Sequence, residues 1–143
     1  MPRDTNCVFC RIVAAELPSA TVYVDEDIVA FLDVAPLAEG HLLVIPRGHY
    51  RDVSGMPPGV FAKVTEAIPI LGRALLHVTQ AEGFNVLCNQ GRAAGQAVDH
   101  VHFHLIPRRT GDSLGYRWNA GQYAAGRPAQ LAAAYQAAIA IHQ

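Results

Sequence analysis

The sequence predicts an α+β domain, and three observations carry that prediction. Five short runs rich in β-branched and apolar residues are bounded by turn residues. A long stretch between the third and fourth runs has apolar residues at steps of three and four. The chain has 143 residues, 51% hydrophobic and 16% charged, which suits one core and leaves little room for two domains. Hairpins, one long helix and a C-terminal helix around a single sheet give the α+β class.

The elements follow in order. Ala20–Val24, the acidic turn Asp25-Glu26-Asp27 and Ile28–Leu32 form a hairpin. His41–Ile45, between Gly40 and Pro46, is a compact apolar run and predicts a buried strand. From Pro58 to Glu82, Val60, Val64, Ala67, Ile68, Leu71, Leu75 and Val78 mark one helix face, kinked at Pro69 and capped at Gly83. Phe84–Cys88 is the fourth strand, with Cys88 as a small buried apolar residue, and His100–Ile106 is the fifth, stopped by Pro107. Residues 107–127 read as irregular. A last helix spans Pro128 to Ile141, with Leu131, Ala134, Tyr135, Ala138 and Ile139 on one side and Pro128 at its first position. His77 and His142 fall on helices as surface residues.

Composition excludes several functions. With 11 basic and 12 acidic residues the formal charge is −1, so nothing draws the chain as a whole to nucleic acid or anionic lipid. No apolar run approaches a membrane span. The opening Met-Pro-Arg-Asp-Thr-Asn lacks a signal peptide's apolar core, which predicts a cytoplasmic location. Three cysteines make no disulfide framework.

The informative segment is His100-Val101-His102-Phe103-His104-Leu105-Ile106. Strand side chains alternate, so the three histidines share one face, and Val101, Phe103 and Leu105 point into the core. Three imidazoles on one face suit a metal, or a nucleophile flanked by groups that handle charge and protons. The preceding loop, Asn89 to Asp99, holds Gly91 and Gly95, whose backbone N–H groups can approach an anion closely, with Asn89 and Gln96 as neutral donors and Arg92 as added charge. Before three aligned histidines it reads as a phosphate cradle.

At these residues the chain resembles the histidine triad (HIT) family, in its bacterial Hint-like branch. The likeness takes in Gly95-Gln96-x-Val98-x-His100-x-His102-x-His104, Phe31-Leu32-Asp33-Val34-x-Pro36, and Gly40-His41 through Pro46-Arg47. It includes the opening Cys7-Val8-Phe9-Cys10 and covers residues 7–109, leaving 110–143 as an extension without motif in a single domain, 1–143.

The resemblance implies a five-stranded antiparallel sheet, a homodimer and a purine nucleotide ligand. It implies His102 as the nucleophile on the α-phosphorus, its other ring nitrogen donating to a fixed acceptor, and His104 at the phosphate and leaving group, with His41 in support. Asn89, Gly95, Gln96 and Ala97 match the phosphate loop. Val8, Phe9, Phe31, Leu32 and Val34 match the nucleoside pocket, and Asp33 the carboxylate that takes the ribose diol. Ala97 is a departure, because many relatives carry Ser or Thr there.

By spacing alone, Cys7-x-x-Cys10 is a redox pair, a disulfide or half of a zinc site. The redox reading needs a helix start in a βαβ context, which the pattern lacks. The resemblance implies structural zinc on Cys7, Cys10, His49 and His100. Adenosine phosphoramidates are the implied substrates. Dinucleoside polyphosphate hydrolysis, a nucleotide-binding regulator and a small zinc protein are the alternatives.

Overall fold

The computed structural model describes residues 1–114 and 120–142. Its elements are α1 (Val8–Val13), β1 (Thr21–Val24), β2 (Ile28–Leu32), β3 (Leu42–Pro46), α2 (Pro58–Glu66), α3 (Ile68–Thr79), β4 (Gly83–Leu87), β5 (Phe103–Arg108) and α4 (Arg127–His142). The strands form one antiparallel sheet in the order β1-β2-β3-β5-β4. The β1–β2 turn is tied by Asp25, whose carboxylate accepts the N–H groups of Asp27 and Ile28.

Alternation along the central strands divides the interior in two. Ile28, Ala30, Leu42, Val44, Phe103 and Leu105 face α2 and α3, and pack with Val64, Leu71 and Leu75. Val29, Phe31, Leu43 and Ile45 face α1, and pack with Cys7, Phe9 and Cys10. Both faces of β2 and β3 are therefore covered, which is why these strands read as continuous apolar runs. Leu105 is fully buried at the sheet's centre. Leu105→Ala should destabilise the fold by about 2–5 kcal/mol, read from the midpoint of urea unfolding.

Several expectations change. The long helix is two helices. Pro69 lacks the N–H that would bond to Thr65, so α2 ends at Ala67 and α3 restarts there, with Leu71 N–H bonding to the Ala67 carbonyl. Gln80, in the left-handed region at φ 54°, ends α3, and Gly83 instead opens β4. Gly72 on α3 leaves room for the Phe84 ring, which a Cβ there would meet at 2.3 Å. Cys88 lies just past β4 and is half-buried.

Neither proline stops its strand. Arg108 accepts from Glu82 and so faces β4, while Pro107 turns to the other side, beyond the end of β3 at Leu42. Arg47 donates to Asp27 on the β2 side, so Pro46 faces the side where β5 has not begun. β5 itself starts only at Phe103, leaving His100 and His102 outside the ladder.

The region 107–127 has no helix or strand among its described residues after Arg108 and before Arg127, and 115–119 lie outside them. α4 forms as expected, but its expected apolar side buries no residue, and Tyr135 and Ile139 stand exposed. His77 and His142 are exposed. No helix among the described residues is long and apolar enough to cross a membrane.

Candidate active site and metal centre

α1 is the element that the sequence pattern missed, and it builds one wall of the site. It is a six-residue helix, too short for an amphipathic repeat to show. Cys7 caps it, accepting the Cys10 N–H on Sγ. The cysteine pair thus does start a helix, but in an antiparallel sheet rather than a βαβ unit. Phe9 points from α1 onto the sheet, edge-on to His102 at 5.2 Å, His100 at 5.8 Å and Phe31 at 5.6 Å between ring centroids.

Hydrogen bonds assign the protons of the histidine row. His102 Nδ1 lies 2.8 Å from the His100 carbonyl, which can only accept. Nδ1 therefore carries the hydrogen, and Nε2 holds the lone pair. Leu37 N–H donates to His41 Nδ1 at 3.1 Å, which puts the His41 proton on Nε2. That N–H donates to His104 Nδ1 at 2.9 Å, so His104 in turn carries its proton on Nε2. Asp33 Oδ2 stands 3.6 Å from His41 Nε2, and Asp33 Oδ1 accepts the Ala35 N–H.

Asp33, His41 and His104 cluster closely enough to suggest a metal. The Leu37 N–H argues otherwise: it leaves a proton, not a lone pair, between the two rings. His41 and His104 are joined by a hydrogen bond, and the Asp33 carboxylate stands beside them as a nearby charge.

Burial pushes His104 down to about 4, the positive forms of His102 and His41 add to the shift, and Asp33 opposes it. Burial also lowers His41, again against Asp33. Between the ordinary histidine value of 6.5 and 4, position 104 takes up a proton in the unfolded chain but not in the folded one. The unfolded state then binds more protons, so this contribution to stability is intact above pH 6.5 and falls as the pH drops toward 4. His104→Gln should flatten that part of the curve, measured by urea midpoints across the range.

A cleft of about 430 Å³ opens beside this row. Its walls include His102, His104, Val8, Phe9, Phe31, Leu32, Asp33, Val34 and Ala97. Phe9 and Phe31 are also buried in the α1-side core, whereas Val34 is 96% exposed at the rim. Ile12, Leu17, Pro18, Ser19, Leu43 and Val98 complete the walls. The sequence reading lacked these six. Ile12 follows Phe9 by one turn of a helix it did not contain, and Leu17 to Ser19 carry no motif.

Asn89 and Gly95 are not among the wall residues. Gly95 has φ 96°, and a Cβ there would meet the Asn89 amide at 3.3 Å. The Gln96 side chain is committed inside the loop, not offered as a donor to a ligand. It accepts from Gly91 N–H and donates to the carbonyls of Arg51 and Val98. Its role in this structure is to hold the loop's shape.

On the far side of His100 lie Cys7, Cys10 and His49. Cys7 Sγ and Cys10 Sγ are 3.4 and 3.6 Å from His100 Nδ1, and Cys10 Sγ is 3.4 Å from His49 Nδ1. His100 Nε2–H donates to the Pro46 carbonyl, which leaves Nδ1 free as a ligand. Arms of about 2.0–2.3 Å around tetrahedral zinc imply edges of about 3.3–3.8 Å, and these separations fit that geometry. Burial pushes the Cys10 thiol up and His100 down to about 4, so this thiol and this imidazole both resist charge in the metal-free cluster. Two thiolates and two neutral imidazoles are a zinc donor set.

An antiparallel sheet with a row of imidazoles at the wall of an apolar cleft defines the histidine triad class of protein. The HIT domain model matches residues 14–111, and the chain belongs to that family. An adenosine 5'-monophosphoramidase of Candida albicans is 37% identical over 125 residues, 84% of this chain and 82% of that one. An adenylylsulfatase of Arabidopsis thaliana is 40% identical over 111 residues, 78% of this chain, which spans just over half (56%) of that relative's length.

Among solved structures, one from Streptococcus mutans aligns with a TM-score of 0.92 at 40% identity, covering 95% of this chain and 87% of that one. A zinc-bound histidine triad family protein from Mycobacterium smegmatis aligns at 0.74 and 38% identity, covering 90% and 97%.

Proposed function

We propose that the chain is a nucleotide hydrolase or transferase acting on purine nucleoside monophosphate conjugates of the adenosine phosphoramidate type. The observation that carries this reading is the hydrogen bond from His102 Nδ1–H to the His100 carbonyl. It leaves Nε2 as the nucleophilic nitrogen of a residue on the cleft wall. The names of the Candida and Arabidopsis relatives support the same substrate class.

In the proposed reaction the base lies among Val8, Phe9, Phe31, Leu32 and Val34, the ribose diol on Asp33 and the phosphate beside Ala97; Asn89, Gly95 and the loop that Gln96 holds join the phosphate site on the family resemblance alone. His102 Nε2 forms a bond to the α-phosphorus as the bond to the leaving group breaks. The His104 Nε2–H hydrogen-bonds to the departing atom, which takes its proton from solvent as it leaves, and His41 keeps the His104 hydrogen on the correct nitrogen. The resulting imidazolium is stabilised by its Nδ1–H bond to the His100 carbonyl. Water then attacks phosphorus as the bond to His102 Nε2 breaks, losing a proton to solvent, which returns the neutral histidine and releases the monophosphate.

Cys7, Cys10, His49 and His100 would hold zinc. Four protein ligands leave no position for substrate, so the metal's part is structural. A homodimer belongs to the same proposal, and sedimentation of the full chain checks it.

Ala97 favours a second reading, a nucleotide-binding regulator with slow turnover, because position 97 on the wall offers no hydroxyl to bond the phosphate. Intact-mass analysis after mixing with an adenosine phosphoramidate separates the two. A transient adduct of one adenosine monophosphate, absent in His102→Ala, supports the enzyme. Tight nucleotide binding with neither adduct nor turnover supports the regulator.

A further inference from the structure

The segment that carries the nucleophile is held without strand pairing. β5 begins at Phe103, so residues 98–102 have no ladder partner. One peptide plane does the work instead. Its carbonyl, from His100, accepts the His102 Nδ1–H at 2.8 Å. Its N–H, from Val101, donates to the Tyr50 carbonyl at 2.7 Å. The orientation of this plane therefore sets both where the His102 ring points and which of its nitrogens carries the proton.

The residues that anchor the plane are the neighbours of metal ligands. Tyr50 follows His49, and His100 itself begins the plane. The N-terminal arm closes the other side of the cluster. His49 N–H bonds to the Pro2 carbonyl, and Asp4 N–H reaches Cys10 Sγ at 3.4 Å. A metal held by His49 and His100 would cross-link the two segments on either side of the Val101–Tyr50 hydrogen bond. The Gln96 amide bridges the same segments a short way along, through Arg51 and Val98.

We infer that the Cys7, Cys10, His49 and His100 site fixes the nucleophile by clamping the 49–50 segment to the His100–Val101 peptide plane, with His100 and Tyr50 as positioning residues. The inference rests on the proposed roles of His102 and of the metal cluster. It adds that the metal's influence on the reaction passes through this one hydrogen-bonded plane rather than through stability of the whole fold. A misplaced nucleophile costs rate, while the nucleoside contacts at Phe31, Leu32 and Val34, away from the metal ligands, stay in place.

The test compares the full zinc-loaded chain, the same chain after chelation, and Cys10→Ser, with hydrogen exchange read at single amides. Cys10→His, which can keep a fourth ligand, is the conservative rescue. On zinc loss the Val101 amide should accelerate at least about tenfold more than that of Val44, which lies in the sheet core and reports the global loss of stability, and the NMR signal of the His102 Nδ1 proton should broaden or vanish. The kcat should fall about tenfold to a hundredfold, well beyond any rise in KM from the α1 wall. Zinc-loaded Cys10→His should restore the Val101 protection.

Unchanged Val101 exchange and His102 signal after zinc loss would overturn the inference. So would equal acceleration at Val44 and Val101, which would make the metal a general staple, and so would a chain that binds no zinc. The exchange readout is independent of turnover, so it stands apart from failure of His102 to form an adduct.

Discussion

Replacing His102 with alanine should abolish the covalent adduct and lower kcat by on the order of 10⁴-fold or more, since it removes the atom that forms the bond to phosphorus. His104→Ala should cost less, about 10²-fold, because it removes a hydrogen-bond donor and leaves the nucleophile in place. Its loss should be largest for poor leaving groups, which need the hydrogen bond as charge builds on the departing atom, and smallest for leaving groups that depart as stable anions. His41→Ala should resemble His104→Ala, because without the His41 Nε2–H nothing holds the His104 proton on the cleft-facing nitrogen. Single-turnover measurements with a phosphoramidate and with an activated ester of the same nucleotide check this order. Equal losses at positions 102 and 104 for both substrates would contradict the division of roles.

The strand face that carries this chemistry was legible because alternation is strict. Val101, Phe103 and Leu105 do enter the core, and β2 and β3 show their burial on both faces as uninterrupted apolar runs. The fixed acceptor expected for the nucleophile's second nitrogen also has its counterpart, in the His100 carbonyl. What escaped has local causes. α1 spans only six residues and its pattern is indistinguishable from a loop. Proline reads as a strand stop, yet Pro46 and Pro107 sit where the neighbouring strand is missing and no N–H is needed. That gap at Pro46 has a use: its carbonyl is free to take the His100 Nε2–H, which turns Nδ1 toward the cysteines. Gln96 looked like a ligand donor because residue type alone does not show that both amide hydrogens are committed within the protein. α4 reads as a helix from its composition, but whether it finds a partner surface is a tertiary property, and here Tyr135 and Ile139 remain exposed.

Removal of zinc should perturb stability as strongly as a large core truncation. A ligand that binds only the folded chain stabilises it by about 4 kcal/mol at a thousandfold excess over its Kd. At roughly 2–4 °C per kcal/mol for a chain of this size, chelation should lower Tm by about 8–16 °C. The cluster's own chemistry makes the loss steep. Without a cation, Cys7, Cys10 and His100 are buried together and hold one another only through weak sulfur–nitrogen contacts of 3.4–3.6 Å. Cys7→Ser and Cys10→Ser should each lose the metal and melt like the chelated protein. Cys88→Ser should keep one zinc per chain, since Cys88 belongs to the opposite core, beside the helices. His102→Ala should also keep it, because the His102 side chain meets the cluster only through the His100 backbone. Metal analysis and thermal melts on this set of four variants decide the matter. Release of zinc by His102→Ala would place the nucleophile among the ligands and undo the separation of structural metal from catalytic imidazole.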